Sequence, residues 1–153
     1  HVLKTPGEEM ELLATIVGER VEAGVDPGDI AVLVDARPWD IEELLRAEGL
    51  PTVPLDKYAG EHAQGVLVGT LNRAKGLEFK EVIIPGLSAA EWPPRWLVPA
   101  DLPEEQRAER LALVRRRLFV GMTRARDRLQ LLSGGAPAAD IERARWAMDV
   151  REY

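Results

Sequence analysis

The sequence predicts an α/β protein built on a mostly parallel sheet with helices on both faces. A continuous apolar run, typical of a strand buried on both faces, occurs at residues 30–34, and two further mainly apolar strands are predicted at 66–70 and 81–85. Segments with apolar residues at helical spacing alternate with these runs, and this alternation is typical of parallel sheets. A chain of 153 residues is long enough for one such domain with a substantial core.

The first half of the chain supplies two of the predicted helices. Residues 8–23 carry apolar side chains at helical spacing, and Gly24 is suited to cap the end of this helix. The Pro27–Gly28 pair then turns the chain into the first long strand. A second helix is predicted over 38–48, because Pro38 suits a first helical turn.

The middle of the chain is predicted to be more irregular. A short extended piece at 51–55 is followed by a polar loop over 56–64. Residues 86–100 contain several prolines and two tryptophans, Trp92 and Trp96, and are expected to form an ordered surface loop.

The longest helix is predicted to begin at Asp101, with Glu104 three residues later as in a capping box. Its predicted buried face consists of Leu111, Val114, Leu118, Phe119 and Met122. A final strand is expected at 129–132, and a closing helix is expected at 137–150.

The composition excludes several classes of protein. A net charge of −6 argues against a strongly basic nucleic-acid module, since Lys and Arg dominate phosphate neutralisation, although a shallow groove needs only a few donors. The absence of cysteine excludes disulfides and thiolate metal sites, which fits a cytoplasmic location. The sequence shows no secretory signal and no apolar run near 18 residues. We expect no metal site in this chain.

Two segments carry polar residues that the sheet itself does not require. Residues 70–79 join two strands, and residues 115–126 join an apolar helical face to the last strand. Ligands on open parallel sheets bind at the carboxyl ends of the strands, and Thr70 ends one strand. Arg124 lies just before another strand, and the planar, always charged guanidinium suits phosphate recognition.

These segments resemble two motifs of the superfamily 1 helicases of the UvrD/Rep/PcrA type. Residues 68–79, VGTLNRAKGLEF, followed by 82–87, VIIPGL, are similar to motif V. Residues 115–126, RRRLFVGMTRAR, resemble motif VI. The segment 30–53 looks like the opening of the second motor domain, and the resemblance extends from about residue 8 to 133. The presence of both motifs in this order makes the resemblance to this helicase family specific.

The resemblance implies a RecA-like, three-layer domain that forms one wall of an ATP cleft. Arg124 matches the arginine finger that reaches the γ-phosphate and is the catalytic candidate. Glu78 matches the acid that contacts the nucleotide ribose. Lys75 and Gly76 match the turn that couples the nucleotide site to the DNA groove, and they complete the nucleotide-binding candidates.

The same resemblance implies contacts with single-stranded DNA. Thr70 and Asn72 match positions that touch the DNA backbone, and Arg73 beside them is the third DNA-binding candidate. Asn72 stands where the family usually has His, so it can donate a hydrogen bond but cannot become charged.

The remaining motor elements are missing from the sequence. No Gly-Lys pair occurs, so a Walker A loop is absent, and no Asp-Glu pair follows a buried strand. Residues 2–153 are therefore expected to form a single second motor domain, without the first motor domain and without the large insertion. Its expected partners are DNA and that first domain, with ATP and Mg²⁺ bound in the intact motor and 3′→5′ polarity implied.

Two other functions fit the same sequence. The chain is, in one alternative, a non-catalytic module that contacts DNA or protein without turnover. In the other, it belongs to a helicase–nuclease subunit with a nuclease domain beyond Tyr153. A Walker A loop upstream of Val2 would favour the motor over the module.

Overall fold

A five-stranded parallel sheet forms the centre of the computed structural model, which describes residues 1–60 and 62–152. The strands are β1 (Val2–Leu3), β2 (Ile30–Val34), β3 (Thr52–Pro54), β4 (Val66–Thr70), β5 (Phe79–Ile84), β6 (Ala125–Leu131) and β7 (Ser133–Gly134). The helices are α1 (Pro6–Glu22), α2 (Pro38–Ala47), α3 (Glu104–Met122) and α4 (Ala139–Ala144), with 3₁₀ turns at Pro27–Asp29 and Arg145–Ala147. Glu61, within the predicted loop, and Tyr153, at the end of the predicted domain, lie outside the described residues.

The large sheet has the strand order β3-β4-β2-β5-β6, and every neighbouring pair is parallel. Strands β1 and β7 form a separate two-stranded parallel ribbon. Because the five strands run in one direction, the sheet has a carboxyl edge, where the strands end, and an amino edge, where they begin.

Each face of the sheet has its own hydrophobic core. Helices α1 and α2 pack on one face, in a cluster that includes Leu13, Val17 and Ile83. Helix α3 covers the other face with the loop after β5, in a cluster that includes Val114 and Trp92. The predicted three-layer α/β arrangement is confirmed.

Most of the predicted elements are present, with shifts at their ends. The capping box at Asp101 is wrong, because α3 begins at Glu104 after Pro103 and has no side-chain cap. Strand β6 begins four residues earlier than predicted. The closing helix is confined to α4 and the 3₁₀ turn after it, rather than continuing to residue 150.

One predicted core residue of α3 is exposed. Phe119 is 65% exposed, whereas Val114 and Leu118 on the same helix are buried. The apolar face of α3 is therefore narrower than the sequence pattern indicated. Trp92 is buried in the loop after β5, while Trp96 is 60% exposed, so only the first of the two tryptophans anchors that loop.

Candidate functional site

The segment 71–78 connects the two edges of the sheet. Thr70 lies level with Val34 at the carboxyl edge, whereas Ile30 is level with Glu81, two residues into β5. About six residues of strand therefore separate Thr70 from Phe79 along the strand direction, which is roughly 20 Å. Residues at the two ends of this segment cannot contact one ligand atom together.

The DNA-binding candidates lie at the carboxyl edge. Thr70 is partly buried at the end of β4, and its carbonyl oxygen accepts hydrogen bonds from the amides of Arg73 and Ala74 at 2.9 and 3.3 Å. This turn leaves the side chains of Asn72 and Arg73 exposed to solvent. All three candidates therefore share one accessible surface.

Two buried side chains fix the rest of the segment. Leu71 is 2% exposed and Ala74 is fully buried. Both side chains belong to the hydrophobic core on the α3 side of the sheet. Gly121 of α3 lies directly over Leu71, because a Cβ atom at Gly121 would come within 2.3 Å of the Leu71 Cδ2. Lys75 and Gly76 remain exposed, and Gly76 adopts a φ of +84°, which favours glycine.

Arg124 lies at the amino edge, immediately after the end of α3. Its Nε donates to the Val120 carbonyl at 3.0 Å, and its Nη1 donates to the Leu77 carbonyl at 3.2 Å. Its Nη2 donates to the Thr123 Oγ1 at 3.2 Å. The guanidinium is partly buried, and no carboxylate among the described residues pairs with it. A cation thus sits at the negative end of the α3 dipole, held by neutral acceptors.

Glu78 lies beside Arg124. The Phe79 amide donates to the Arg124 carbonyl at 2.9 Å, while the Arg124 side chain holds Leu77. Arg124 therefore binds the chain on both sides of Glu78, whose own side chain is exposed. The neighbouring charges are mostly neutralised locally, by Arg126 with Asp127 at 2.9 Å and by Lys80 with Asp29.

The structure divides the predicted site into two groups. Arg124 and Glu78 come together at the amino edge, and Thr70, Asn72 and Arg73 come together at the carboxyl edge. Arg124 precedes β6, as its place before a strand in the sequence indicated, because α3 runs antiparallel to the strands and ends where they begin.

Asp35 is a carboxyl-edge residue that the sequence reasoning missed. It follows β2, the central strand, and its carboxylate has no hydrogen bond or close ion pair among the described residues. Burial raises the pKa of Asp35 to about 6, and Arg117 on α3 acts in the opposite direction. An acid directly after a continuous apolar run was the signal available in the sequence.

The substitution Asp35→Asn is expected to stabilise the domain above pH 6. In the folded state the pKa of Asp35 lies above the ordinary value of 3.8. The contribution of Asp35 to the free energy of unfolding therefore falls as pH rises from about 4 to about 6, because the folded state holds its proton more tightly than the unfolded state. The amide side chain of the variant does not titrate, so the variant should gain roughly 1–3 kcal/mol at pH 7.5 relative to pH 4. Urea unfolding at both values measures this, with the exposed Asp56→Asn as control. An equal gain at both pH values would contradict the prediction.

Helix α1 carries two charged residues on its buried face. Glu9 is fully buried, and its carboxylate accepts hydrogen bonds from the amides of Gly86 at 2.6 Å and Gly134 at 2.8 Å. Burial raises the pKa of Glu9, and these two amides oppose the shift. Arg20 donates from Nε to both carboxylate oxygens of Glu81 at 3.0 and 2.9 Å. Glu9 and Arg20 lie at helical spacing from the buried Leu13 and Val17. This spacing was the sequence signal that the two charged residues share the buried face of α1.

A metal site is not apparent in the part of the chain that the structure describes. Residues 1–60 and 62–152 contain no group of three or more His, Asp or Glu side chains arranged to bind an ion. Over the same residues, no helix combines the length and the apolar character needed to cross a bilayer.

Comparison with known proteins gives one family and one fold. The sequence model of the family described as UvrD-like helicase C-terminal domain matches residues 36–133. Among solved structures, the chain is similar to the C-terminal domain of a possible DNA helicase from Lactobacillus plantarum WCFS1. The TM-score is 0.64 at 18% identity, over 90% of this chain and 74% of that chain. No curated protein matches the chain significantly.

Proposed function

The chain belongs to the UvrD-like helicase C-terminal domain family, and from this premise we propose that it is the second motor domain of an ATP-dependent DNA helicase. In this proposal it acts with a first motor domain of the same protein, which supplies the phosphate-cradling loop. Arg124 serves as the arginine finger, Glu78 contacts the ribose, and the carboxyl-edge residues hold single-stranded DNA. The 3′→5′ direction is the polarity expected from the resemblance.

The position and partners of Arg124 carry the proposal. A carboxylate paired with an arginine offsets the charge of its guanidinium. Arg124 instead has only neutral acceptors, so its full charge is available to an anionic ligand. Three of its five N–H donors are engaged, which leaves donors for phosphate oxygens.

Glu78 and Arg124 suit different parts of one nucleotide. A carboxylate accepts hydrogen bonds from ribose hydroxyl groups, and a guanidinium donates to phosphate oxygens. The backbone contact between Phe79 and Arg124 fixes their relative positions. This supports binding of both groups to one ATP molecule held mainly by another domain.

The segment 71–78 supports a coupling between DNA binding and hydrolysis. It begins at the DNA-binding candidates and ends at Glu78, and it is pinned by Leu71 and Ala74 in between. In this proposal the segment links Asn72 and Arg73 to Leu77, whose carbonyl oxygen accepts from Arg124. Closure of two domains around ATP would then move the bound strand.

ATP and Mg²⁺ fit this chain only in part. The bound nucleotide supplies the phosphoryl group that is transferred to water, and charge develops on the γ-phosphate oxygens. Arg124 suits that charge, and Glu78 suits the ribose. The described residues offer no carboxylate cluster for Mg²⁺, so its ligands belong to the first motor domain in this proposal.

The isolated 153-residue chain is expected to show no measurable ATP hydrolysis, because it lacks a phosphate-cradling loop. In this proposal the chain belongs to a longer protein that includes the first motor domain, and that longer protein should hydrolyse ATP and be stimulated by single-stranded DNA. It should also unwind a duplex with a 3′ tail faster than one with a 5′ tail. Steady-state phosphate release and strand-separation assays measure these activities.

Each alternative gives a distinct result in the same assays. Robust turnover by the isolated chain would contradict the proposed division of labour. DNA binding by the longer protein without turnover would replace the motor by a non-catalytic binding module. Strand cleavage that depends on a downstream domain would identify a helicase–nuclease subunit.

A further inference from the structure

Thr123 lies between the end of α3 and the Arg124 guanidinium. Its Oγ1 donates to the Val120 carbonyl at 2.9 Å and accepts from the Arg124 Nη2 at 3.2 Å. Because the single hydroxyl proton is directed to Val120, a lone pair of the oxygen is presented to the arginine. The orientation of this hydroxyl is therefore determined by the helix end.

The Val120 carbonyl is a natural anchor for this arrangement. It is one of the last carbonyls of α3, which lack the usual helical partner. The amide of Arg124 bonds to Gly121 instead, at 3.1 Å. The Val120 oxygen accepts from both the Thr123 hydroxyl and the Arg124 Nε, so the three groups form a closed ring of hydrogen bonds.

We propose that Thr123 is a positioning residue for the Arg124 guanidinium, acting through its hydroxyl group. This inference rests on the proposed function of Arg124. The ring with Val120 fixes the plane of the guanidinium at one end, and the Leu77 carbonyl fixes it at the other. A finger held in this way loses less freedom when it meets the phosphate, which is the advantage of preorganisation.

Two substitutions separate the hydroxyl group from the shape of the side chain. Thr123→Val keeps the branched shape and removes the hydroxyl, whereas Thr123→Ser keeps the hydroxyl and removes the methyl group. In the longer protein, Thr123→Val is expected to lower kcat for ATP hydrolysis about 10-fold, with KM for ATP and affinity for single-stranded DNA within about 2-fold. Thr123→Ser should stay within about 2-fold of the parent in kcat.

Thr15 provides a matched control on α1. Its Oγ1 donates to the Glu11 carbonyl at 2.9 Å, so Thr15→Val removes a similar hydroxyl-to-helix bond that is not connected to Arg124. This variant should leave kcat unchanged.

The isolated chain allows a second readout that does not depend on catalysis. Hydrogen exchange of the Arg124 Nε–H, followed by NMR, should be several-fold faster in Thr123→Val than in the parent chain or in Thr123→Ser. Unchanged exchange, or an unchanged kcat in Thr123→Val, would overturn the role of Thr123. Full turnover by Arg124→Ala would instead overturn the proposed function itself, so the two failures are distinguishable.

Discussion

Replacing Arg124 with Ala in the longer protein is expected to abolish ATP hydrolysis while leaving DNA affinity nearly unchanged. An arginine finger stabilises the charge that develops on the γ-phosphate and is worth about 10³–10⁵ in rate. The DNA-binding candidates lie roughly 20 Å away at the carboxyl edge, so the substitution does not touch them. Single-turnover hydrolysis with saturating ATP and DNA, together with a DNA-binding titration, measures both effects.

Arg126 is the matched control for this experiment. It lies two residues away on the same edge, but it is exposed and pairs with Asp127 at 2.9 Å. Arg126→Ala should therefore keep kcat within a few-fold of the parent, as expected for an exposed ion pair. Equal losses in the two variants, or turnover that survives in Arg124→Ala, would contradict the assigned role of Arg124. Normal DNA affinity in both variants shows that the domain remains folded.

Replacing Glu9 with Ala is expected to destabilise the isolated domain by about 3–5 kcal/mol. The Glu9 carboxylate is fully buried and accepts from the Gly86 and Gly134 amides, which belong to the chain after β5 and to β7. Its removal would leave the buried Gly134 N–H and the partly buried Gly86 N–H without acceptors, and it would open a cavity between α1 and the carboxyl edge. Chemical unfolding at pH 7 measures the free energy of unfolding.

Two variants define the cause of that loss. Glu9→Gln keeps one acceptor oxygen, so it should lose about 1–3 kcal/mol. Glu11→Ala, at an exposed position on the same helix, should change stability by less than about 0.5 kcal/mol. If Glu9→Ala proved as stable as Glu11→Ala, the two hydrogen bonds to Gly86 and Gly134 would not stabilise the fold.

The fold class and the motif order were determined by the sequence itself. The mainly apolar segments 30–34 and 66–70 form the adjacent strands β2 and β4. Their composition predicted this, because a strand that is covered on both faces has mostly apolar side chains. The segment 115–126 led from a helix into a strand as its pattern indicated, although that strand begins at Ala125 and not at the predicted residue 129. These features depend on residues that are close together in the chain, so local patterning is sufficient to predict them.

The sequence pattern failed where the outcome depended on distant contacts. The buried face of α3 is set by its packing on β5 and β6, so Phe119 points to solvent despite its helical spacing. Asp101 lacks the capping role because the loop before α3 places Pro103 at the helix start. Glu9 was not predicted, since its two donors lie 77 and 125 residues further along the chain.

The grouping of the candidate site was likewise decided only by the tertiary structure. Sequence reasoning placed Thr70 after one strand and Arg124 before another, but it did not reveal which residues Arg124 contacts. The antiparallel course of α3 brings Arg124 to Leu77, a residue 47 positions earlier, and makes Glu78 its neighbour. Local propensity determines which elements form, whereas the direction in which they cross the sheet determines which side chains meet.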